Sequence, residues 1–490
     1  MRSGASGAVS RAALRRPATH GLLALGLIAL GAASCGATAA LAQTASPPSK
    51  APRTQTPASS AQARAPDNPT PARDPAFVAF LEAFWPKAQA AGIDRAAYDK
   101  LLAAITPDLT LPDVVRPAKP GPAAKRKRPH YASRQAEFSK TPAQYMATQW
   151  FETLVTRGQA LSEKHAATLA TVEARLQVHR RILLAIWGRE TAYGTYRLPH
   201  DGLRVLATQA FTGRRRAMYT REFLAALKLR AGGHASEQDL RSSWSGAIGL
   251  PQFMPSEWFT TAVDIDGDGR RNIWSSVPDA LGSAANQLKQ KGWKPGVSWG
   301  YEVALPDGVD CTNLGPQGMQ PIRAWQARGI ERTRGRRFAG SVPDEPAYLL
   351  MPAGAHGPSF LVTENFLTIK RYNPADLYAL FVGHLADRIG GGAAFATPWK
   401  PIAMVSNHDI EALQRLMNRA GLPAGPADGL LGSKTRRAIG LYQKAHAMTV
   451  DCWPSAAVLA HAQARYGTRA EAAPTSGARP DAATAGKEPR

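Results

Sequence analysis

Between residues 133 and 390 the apolar side chains recur with a helical period, most regularly over 143–166, 168–190, 217–230 and 278–291. Spacing of about 3.6 residues over stretches this long describes amphipathic helices. This part of the chain is therefore expected to be mainly α. Strand-like patches at 300–305, 346–350 and 359–362 add a small β component. With 490 residues, 44% of them hydrophobic, the chain has material for two or three domains.

One helical stripe contains an acid. In "RILLAIWGRETAYG", residues 181–194, Leu183, Ile186, Trp187 and Glu190 fall on one face, with Arg181 and Arg189 on the other side. A carboxyl group among apolar neighbours has its charged form disfavoured, and its pKa rises. It then keeps a proton near neutral pH, as a general acid must. The alternative is a helix-end glutamate paired with Arg189 or Arg181.

Further along, "SSWSGAIGLPQFMPSEW" (242–258) is dense in Gly, Ser and aromatics. Gly246 and Gly249 permit close backbone approach. Ser243 and Gln252 can hydrogen-bond an uncharged polar ligand. Trp244, Phe253 and Trp258 offer flat apolar faces of the kind that suit a sugar ring; a packed turn is the other reading. Next comes "DIDGDGRRNIWS" (264–275), which has the spacing of an EF-hand loop: Asp264, Asp266 and Asp268 at positions 1, 3 and 5, Gly269 at the sharp turn and Asn272 at position 9. Position 12 should be a bidentate acid but is Ser275, so any Ca2+ is expected to bind weakly. An Asp/Gly turn held by its own hydrogen bonds has the same composition.

The N-terminus indicates export. Arg2, Arg11, Arg15 and Arg16 precede the apolar run 21–34, and "ALAQ" at 40–43 offers cleavage after Ala42. The run is short for a membrane span. Residues 1–42 thus read as a secretory signal, and the periplasm of a Gram-negative bacterium is the expected compartment. Lipidation at Cys35, and with it outer-membrane attachment, is the second option, although "AASC" lacks the usual leucine. Residues 43–73 are Pro/Ala/Ser/Thr/Gln-rich and read as a disordered tether, residues 391–405 as a linker and residues 467–490 as a disordered tail. Cys311 and Cys452 remain after the signal; they either pair or stay as two buried thiols.

Lys and Arg number 60 against 37 Asp and Glu, a formal charge of +23, which favours anionic partners. No nucleic-acid-binding motif accompanies the charge, so no nucleic-acid partner is expected. The basic, proline-rich stretch 116–130 is either a solvated loop or a contact with an anionic polymer.

"GRETAYG", "SGAIGLPQFMPSEW", "AVDIDGDGRRNIW", "LGSAANQLKQKGW" and "RYNPADLYALFVGHLADRI" follow one another in that order. Together, over roughly 75–390, they resemble the membrane-bound lytic murein transglycosylase B family. The resemblance implies a lysozyme-like α+β catalytic domain over 74–390 that acts on peptidoglycan glycan strands. It also implies non-hydrolytic cleavage of the β-1,4 bond between N-acetylmuramic acid and N-acetylglucosamine, leaving 1,6-anhydro ends. Carried over by motif, Glu190 would be the catalytic acid and base. Ser243, Gln252, Tyr372, Asn373 and Tyr378 would bind sugars. Asp264, Asp266, Asp268 and Asn272 would hold Ca2+, with no cofactor required. Gln287 stands where the family often has tyrosine, which puts one sugar-stacking surface in doubt.

After the linker, "IEALQRLMNRAGLPAGPADGLLGSKTRRAIGLYQKAHAM" resembles the small three-helix peptidoglycan-binding domain type 1, expected over 406–466. Ile410, Leu413, Leu416 and Met417 mark its first helix, and "DGLLGSKT" (428–435) is a turn before the second. A monomer is expected. The competing readings are a non-catalytic wall-binding scaffold and a muramidase that adds water.

Overall fold

The computed structural model describes residues 74–115, 135–146, 149–338 and 340–467. The expected signal, the tether, Cys35, the basic loop 116–130 and the tail from 468 onward lie outside the described residues. The principal helices are α1 (Pro75–Ala90), α2 (Arg95–Leu102), α3 (Gln149–Lys164), α4 (Ala166–Leu176), α5 (Arg180–Thr191), α6 (Gly202–Thr212) and α7 (Arg216–Ala231). They continue with α8 (Pro255–Thr261), α9 (Val277–Gln290), α10 (Glu364–Lys370) and α11 (Asp376–Ile389), then α12 (Asn407–Arg419), α13 (Ser433–Ala445) and α14 (Ala456–Tyr466). Among the described residues, none is long and apolar enough to cross a membrane.

The periodic run 168–190 does not form one helix. It breaks between α4 and α5, where Gln177 adopts φ +58° and Val178 is fully buried. The His179 ring nitrogen accepts the Arg181 N–H and restarts the helix. Ile182 to Gly188 of α5 are then all buried, as are Leu377 to Ala386 of α11. Helices apolar on every side belong in the centre of a fold. These two pack antiparallel, with Arg181 beside Gly390 at one end and Glu190 beside Tyr378 at the other.

The strand patches form a sheet with two further short strands. Its members are β1 (Gly300–Ala304), β2 (Gln320–Pro321), β3 (Glu331–Arg332), β4 (Pro346–Leu350) and β5 (Ser359–Thr363). The order is β2-β4-β5-β1-β3, antiparallel throughout, with Leu349 opposite Leu361 and Tyr301 opposite Leu361 on the other edge. Phe360 and Val362 face the central helices, while Leu361 and Val303 face a second core around Trp325. The alternation is the strand period of two.

A third core lies under α1, where Phe77, Leu81 and Phe84 meet Phe223 of α7 and Phe253. A fourth unites α12, α13 and α14 around Leu413, Met417, Ile439 and Tyr442. This C-terminal unit is joined to the rest by a Cys311–Cys452 disulfide with Cα atoms 6.0 Å apart, so the two thiols pair. Gly440 makes room for it, since a Cβ there would lie 2.0 Å from the Cys452 sulfur. Residues 391–405 run against the sheet: Ala396 and Thr397 N–H groups donate to Glu302 at 2.8 Å each, and Lys400 N–H donates to the His356 carbonyl at 2.8 Å.

Candidate active site

Glu190 lies in the last turn of α5, which stops abruptly. Ala192, Tyr193 and Gly194 have φ of +49°, +58° and +78°. Two consecutive side-chain-bearing residues in that region cost about 1–2 kcal/mol each, so other contacts must hold the reversal. Tyr193 lies across Gly188, where a Cβ would sit 2.6 Å from its ring, and its hydroxyl donates to the Leu154 carbonyl at 2.8 Å. Thr191 Oγ1 accepts the Gly194 N–H at 3.2 Å and donates to the Leu250 carbonyl at 3.1 Å. The end of α5 is thereby tied to the loop 242–254.

Glu190 itself is half-buried, and Tyr378 Oη donates to its Oε1. Arg189 does not pair with it. That guanidinium turns to Glu137 at 3.0 Å and to the Tyr145 hydroxyl at 2.8 Å. Burial pushes the Glu190 carboxyl above its ordinary range; the Tyr378 hydrogen bond and the Arg189 charge pull it back, and Glu137 adds a smaller upward push. Burial holds the Tyr378 hydroxyl well above the usual phenol range. It stays protonated and remains a donor.

The loop 242–254 folds on itself. Ser243 N–H donates to Ala247 O at 3.0 Å, and Ile248 and Phe253 exchange both backbone hydrogen bonds. Gly246 has φ +87°, and a Cβ there would meet Leu206 at 2.3 Å. Ser243 Oγ lies 3.0 Å from Ser245 Oγ and accepts the Ala247 N–H at 3.2 Å. Gln252 has φ +54° and donates to the Gly249 carbonyl at 2.9 Å. Both side chains thus bond within their loop and remain half-exposed. Phe253 and Trp258 do not offer sugar-facing surfaces: they are 0% and 2% exposed, core residues under the loop, because the apolar side of the turn must be buried somewhere. Trp244 stays half-exposed.

Tyr372 Oη donates to the Pro251 carbonyl, which brings the "RYNPADLY" segment onto the same loop. Asn373 spends its Oδ1 on the Ala375 N–H at 3.1 Å, at the start of α11. Glu190, Tyr372, Tyr378 and the 249–252 backbone therefore converge. Gln287, 3% exposed, donates to Glu257 Oε1 at 2.7 Å, and Lys291 Nζ reaches the same oxygen at 3.3 Å. Position 287 is thus a buried brace for Glu257 and does not face solvent.

In the acidic loop, Asp264 accepts the Gly267 and Gly269 N–H groups at 2.6 and 2.9 Å, and Asp268 accepts the Arg270 N–H at 2.8 Å. Asp266 accepts from Ser276 Oγ at 2.6 Å. The Asn272 side-chain Oδ1 accepts from the Trp274 and Ser275 N–H groups and is turned onto the loop's exit. Sequence reasoning missed Asp279, a fully buried acid three residues after the Ser276 cap of α9. It accepts the Ile265 and Asn272 N–H groups at 2.7 and 2.8 Å. Oxygens of Asp264, Asp266, Asp268 and Asp279 all lie within 4.8 Å of one another. Four acids in one such space form a donor set that suits a hard divalent cation. The "SVPD" capping spacing was the signal that an acid would turn back here.

A half-buried carboxyl pushed above its ordinary range, beside a hydroxyl-rich, half-open loop on a mainly helical scaffold, is the arrangement of the lysozyme-like class of glycan-cleaving folds. The family described as transglycosylase SLT domain matches residues 76–387, and the chain belongs to it. The family described as putative peptidoglycan binding domain matches residues 406–461. The membrane-bound lytic murein transglycosylase B of Escherichia coli K12 is 33% identical over 221 residues, which are 42% of this chain and 56% of that protein's length. The crystal structure of SltB3 from Pseudomonas aeruginosa in complex with NAG-anhNAM-pentapeptide is 34% identical, with a TM-score of 0.68, over 80% of this chain and all of that one. The E. coli lytic transglycosylase Slt35, solved in complex with calcium, shares the fold, with 24% identity and a TM-score of 0.50 over 65% of this chain and 93% of that one.

Proposed function

We propose that this chain is a lytic transglycosylase, cleaving the β-1,4 bond between N-acetylmuramic acid and N-acetylglucosamine of peptidoglycan without water. The observation that carries the reading is Glu190, a carboxyl held above its ordinary pKa with a neutral tyrosine as its only described hydrogen-bond donor. The acid donates its proton to the glycosidic oxygen as the C1–O bond breaks. The resulting carboxylate then takes the proton of the muramoyl 6-hydroxyl while that oxygen bonds to C1. The acid is regenerated, and the products are a 4-hydroxyl on one side and a 1,6-anhydro end on the other. Glycoside hydrolases normally use two carboxyl groups; here the substrate's N-acetyl group stabilises the cationic C1. Tyr378 orients the carboxyl, and Ser243, Gln252, Tyr372 and Asn373 contact the sugars. SltB3, 34% identical to this chain, has been captured with an anhydro-muramoyl pentapeptide, and that likeness supports the reading.

Residues 74–390 form the catalytic domain in this reading and 406–466 the wall-binding one, acting as a monomer in the periplasm, with lipid attachment at Cys35 as the alternative to simple cleavage. Asp264, Asp266, Asp268 and Asp279 would hold Ca2+, while the Asn272 Oδ1 stays on the Trp274 and Ser275 N–H groups. The ion would supply positive charge that relieves carboxylate repulsion and stiffens the turn before α9, with no part in bond cleavage.

Product mass analysis of digested sacculi tests the reading. Anhydro ends one water lighter than reducing ends are expected. Reducing ends alone would mean a hydrolytic muramidase, and binding without release would mean a scaffold.

A further inference from the structure

Asp376 opens α11, two residues before Tyr378. Its Oδ1 accepts from Lys370 Nζ at 2.7 Å, at the end of α10. Its Oδ2 accepts from Arg436 Nη2 and Ser433 Oγ, each at 2.8 Å, and both of these belong to α13 of the C-terminal unit. The Asp376 and Arg436 side chains are 8% and 4% exposed. Arg436 Nη1 reaches back to the Leu431 carbonyl at 3.0 Å, while its Nε is buried without a partner among the described residues. The main partner of this arginine is thus a carboxylate in another part of the chain.

That carboxylate sits in the segment 371–378, which carries Tyr372, Asn373 and Tyr378. Tyr372 is anchored on Pro251 at one end, and Asp376 is pinned from both sides at the other. From Asp376 the first turn of α11 leads directly to Tyr378 and so to Glu190. A catalytic contact displaced by an ångström costs up to about a hundredfold in rate.

We propose that Arg436 is a positioning residue for the reaction: through Asp376, the C-terminal unit fixes the start of α11 so that Tyr378 meets Glu190. The proposal rests on the reading of Glu190 as the reacting acid. It makes the C-terminal unit part of turnover as well as of wall attachment. Other contacts keep the unit docked when Arg436 is changed: the Cys311–Cys452 disulfide, and Arg437 Nε on the Thr312 carbonyl at 2.9 Å.

The test uses the full chain on purified sacculi, with Arg436→Met, Arg436→Lys, Tyr378→Phe and the Arg436→Met/Tyr378→Phe double variant. In Arg436→Met, kcat should fall about ten- to a hundredfold while pelleting with sacculi is unchanged. Arg436→Lys should recover most of the loss. The double variant should be no slower than Tyr378→Phe alone, because both act through one contact. A folded Arg436→Met protein with wild-type kcat overturns the proposal, as does a loss that multiplies with that of Tyr378→Phe. If Arg436→Met does not fold, Ser433→Ala carries the test: a smaller loss that again merges with Tyr378→Phe is expected, and an undiminished kcat is contrary. Equal product release by wild type and Glu190→Gln would remove the underlying reading, an outcome distinct from failure of Arg436 alone.

Discussion

Two carboxyl groups meet at the first turn of α11, Glu190 reaching it from α5 and Asp376 belonging to it, and their proton affinities move in opposite directions. Glu190 comes from α5, receives a tyrosine hydroxyl, and is pushed above its ordinary range by burial. Asp376 is buried too, yet Lys370, Arg436 and Ser433 hold it far below the usual carboxylate range, outweighing the desolvation. Burial sets the cost of the charge, and the partners decide whether the group bears it. The cationic neighbour of Glu190, Arg189, is diverted to Glu137 and Tyr145, so the acid can keep a proton to give.

The sharpest way to break the contrast is Glu190→Gln. Muropeptide release should fall by about 10²–10⁴-fold, the range for loss of a general acid–base, while sacculus binding persists. The same change should raise the melting temperature at neutral pH. A carboxyl whose folded pKa is raised stabilises fully below its unfolded value and loses that contribution as pH rises through the folded one, and glutamine has nothing to lose. A lower melting temperature at pH 7 would contradict this.

Asp376→Asn should act in the other sense, costing about 3–5 kcal/mol by leaving two cations facing a neutral amide. The folded pKa of Asp376 is depressed, so its stabilisation is present above the unfolded value near about 3.9 and disappears as pH falls through the folded one. Urea melts at neutral pH and below pH 4 should therefore show a wild-type advantage that shrinks in acid; a constant gap counts against the pairing.

Tyr378→Phe sharpens the contrast from the Glu190 side. Removing the hydroxyl withdraws the bond that lowers the Glu190 pKa, so the alkaline limb of the kcat/KM profile should move upward. A limb that stays in place would exclude Tyr378 as the tuning group. The smallest effect is expected at the acidic loop. Wild type should gain a few degrees in melting temperature with millimolar Ca2+, and Asp279→Asn should abolish the gain. An equal gain in the variant would place the ion elsewhere.

Much of this was legible in the residues. The period of Leu183, Ile186, Trp187 and Glu190 located the helix and the inward acid; Tyr378 was expected only as a sugar ligand, and its bond to Glu190 across 188 residues was not legible. Ile410 to Met417 gave the first C-terminal helix. What composition could not give was the far side of each side chain. Phe253 and Trp258 resemble sugar platforms in a list of residues but belong to the core beneath the loop. Asp279 lies fifteen residues beyond Asp264 and reaches the acidic loop only because α9 turns back. The pairings of Asp376 with Arg436 and of Cys311 with Cys452 span 60 and 141 residues, separations at which local periodicity has no information.

The central claim is that Glu190 keeps its proton where an ordinary glutamate has lost it. A difference titration of wild type against Glu190→Gln measures that group alone. The account predicts one extra proton released with a midpoint clearly above about 4.3, the free-glutamate value; a midpoint at or below that value, in an enzyme of full activity, would contradict it.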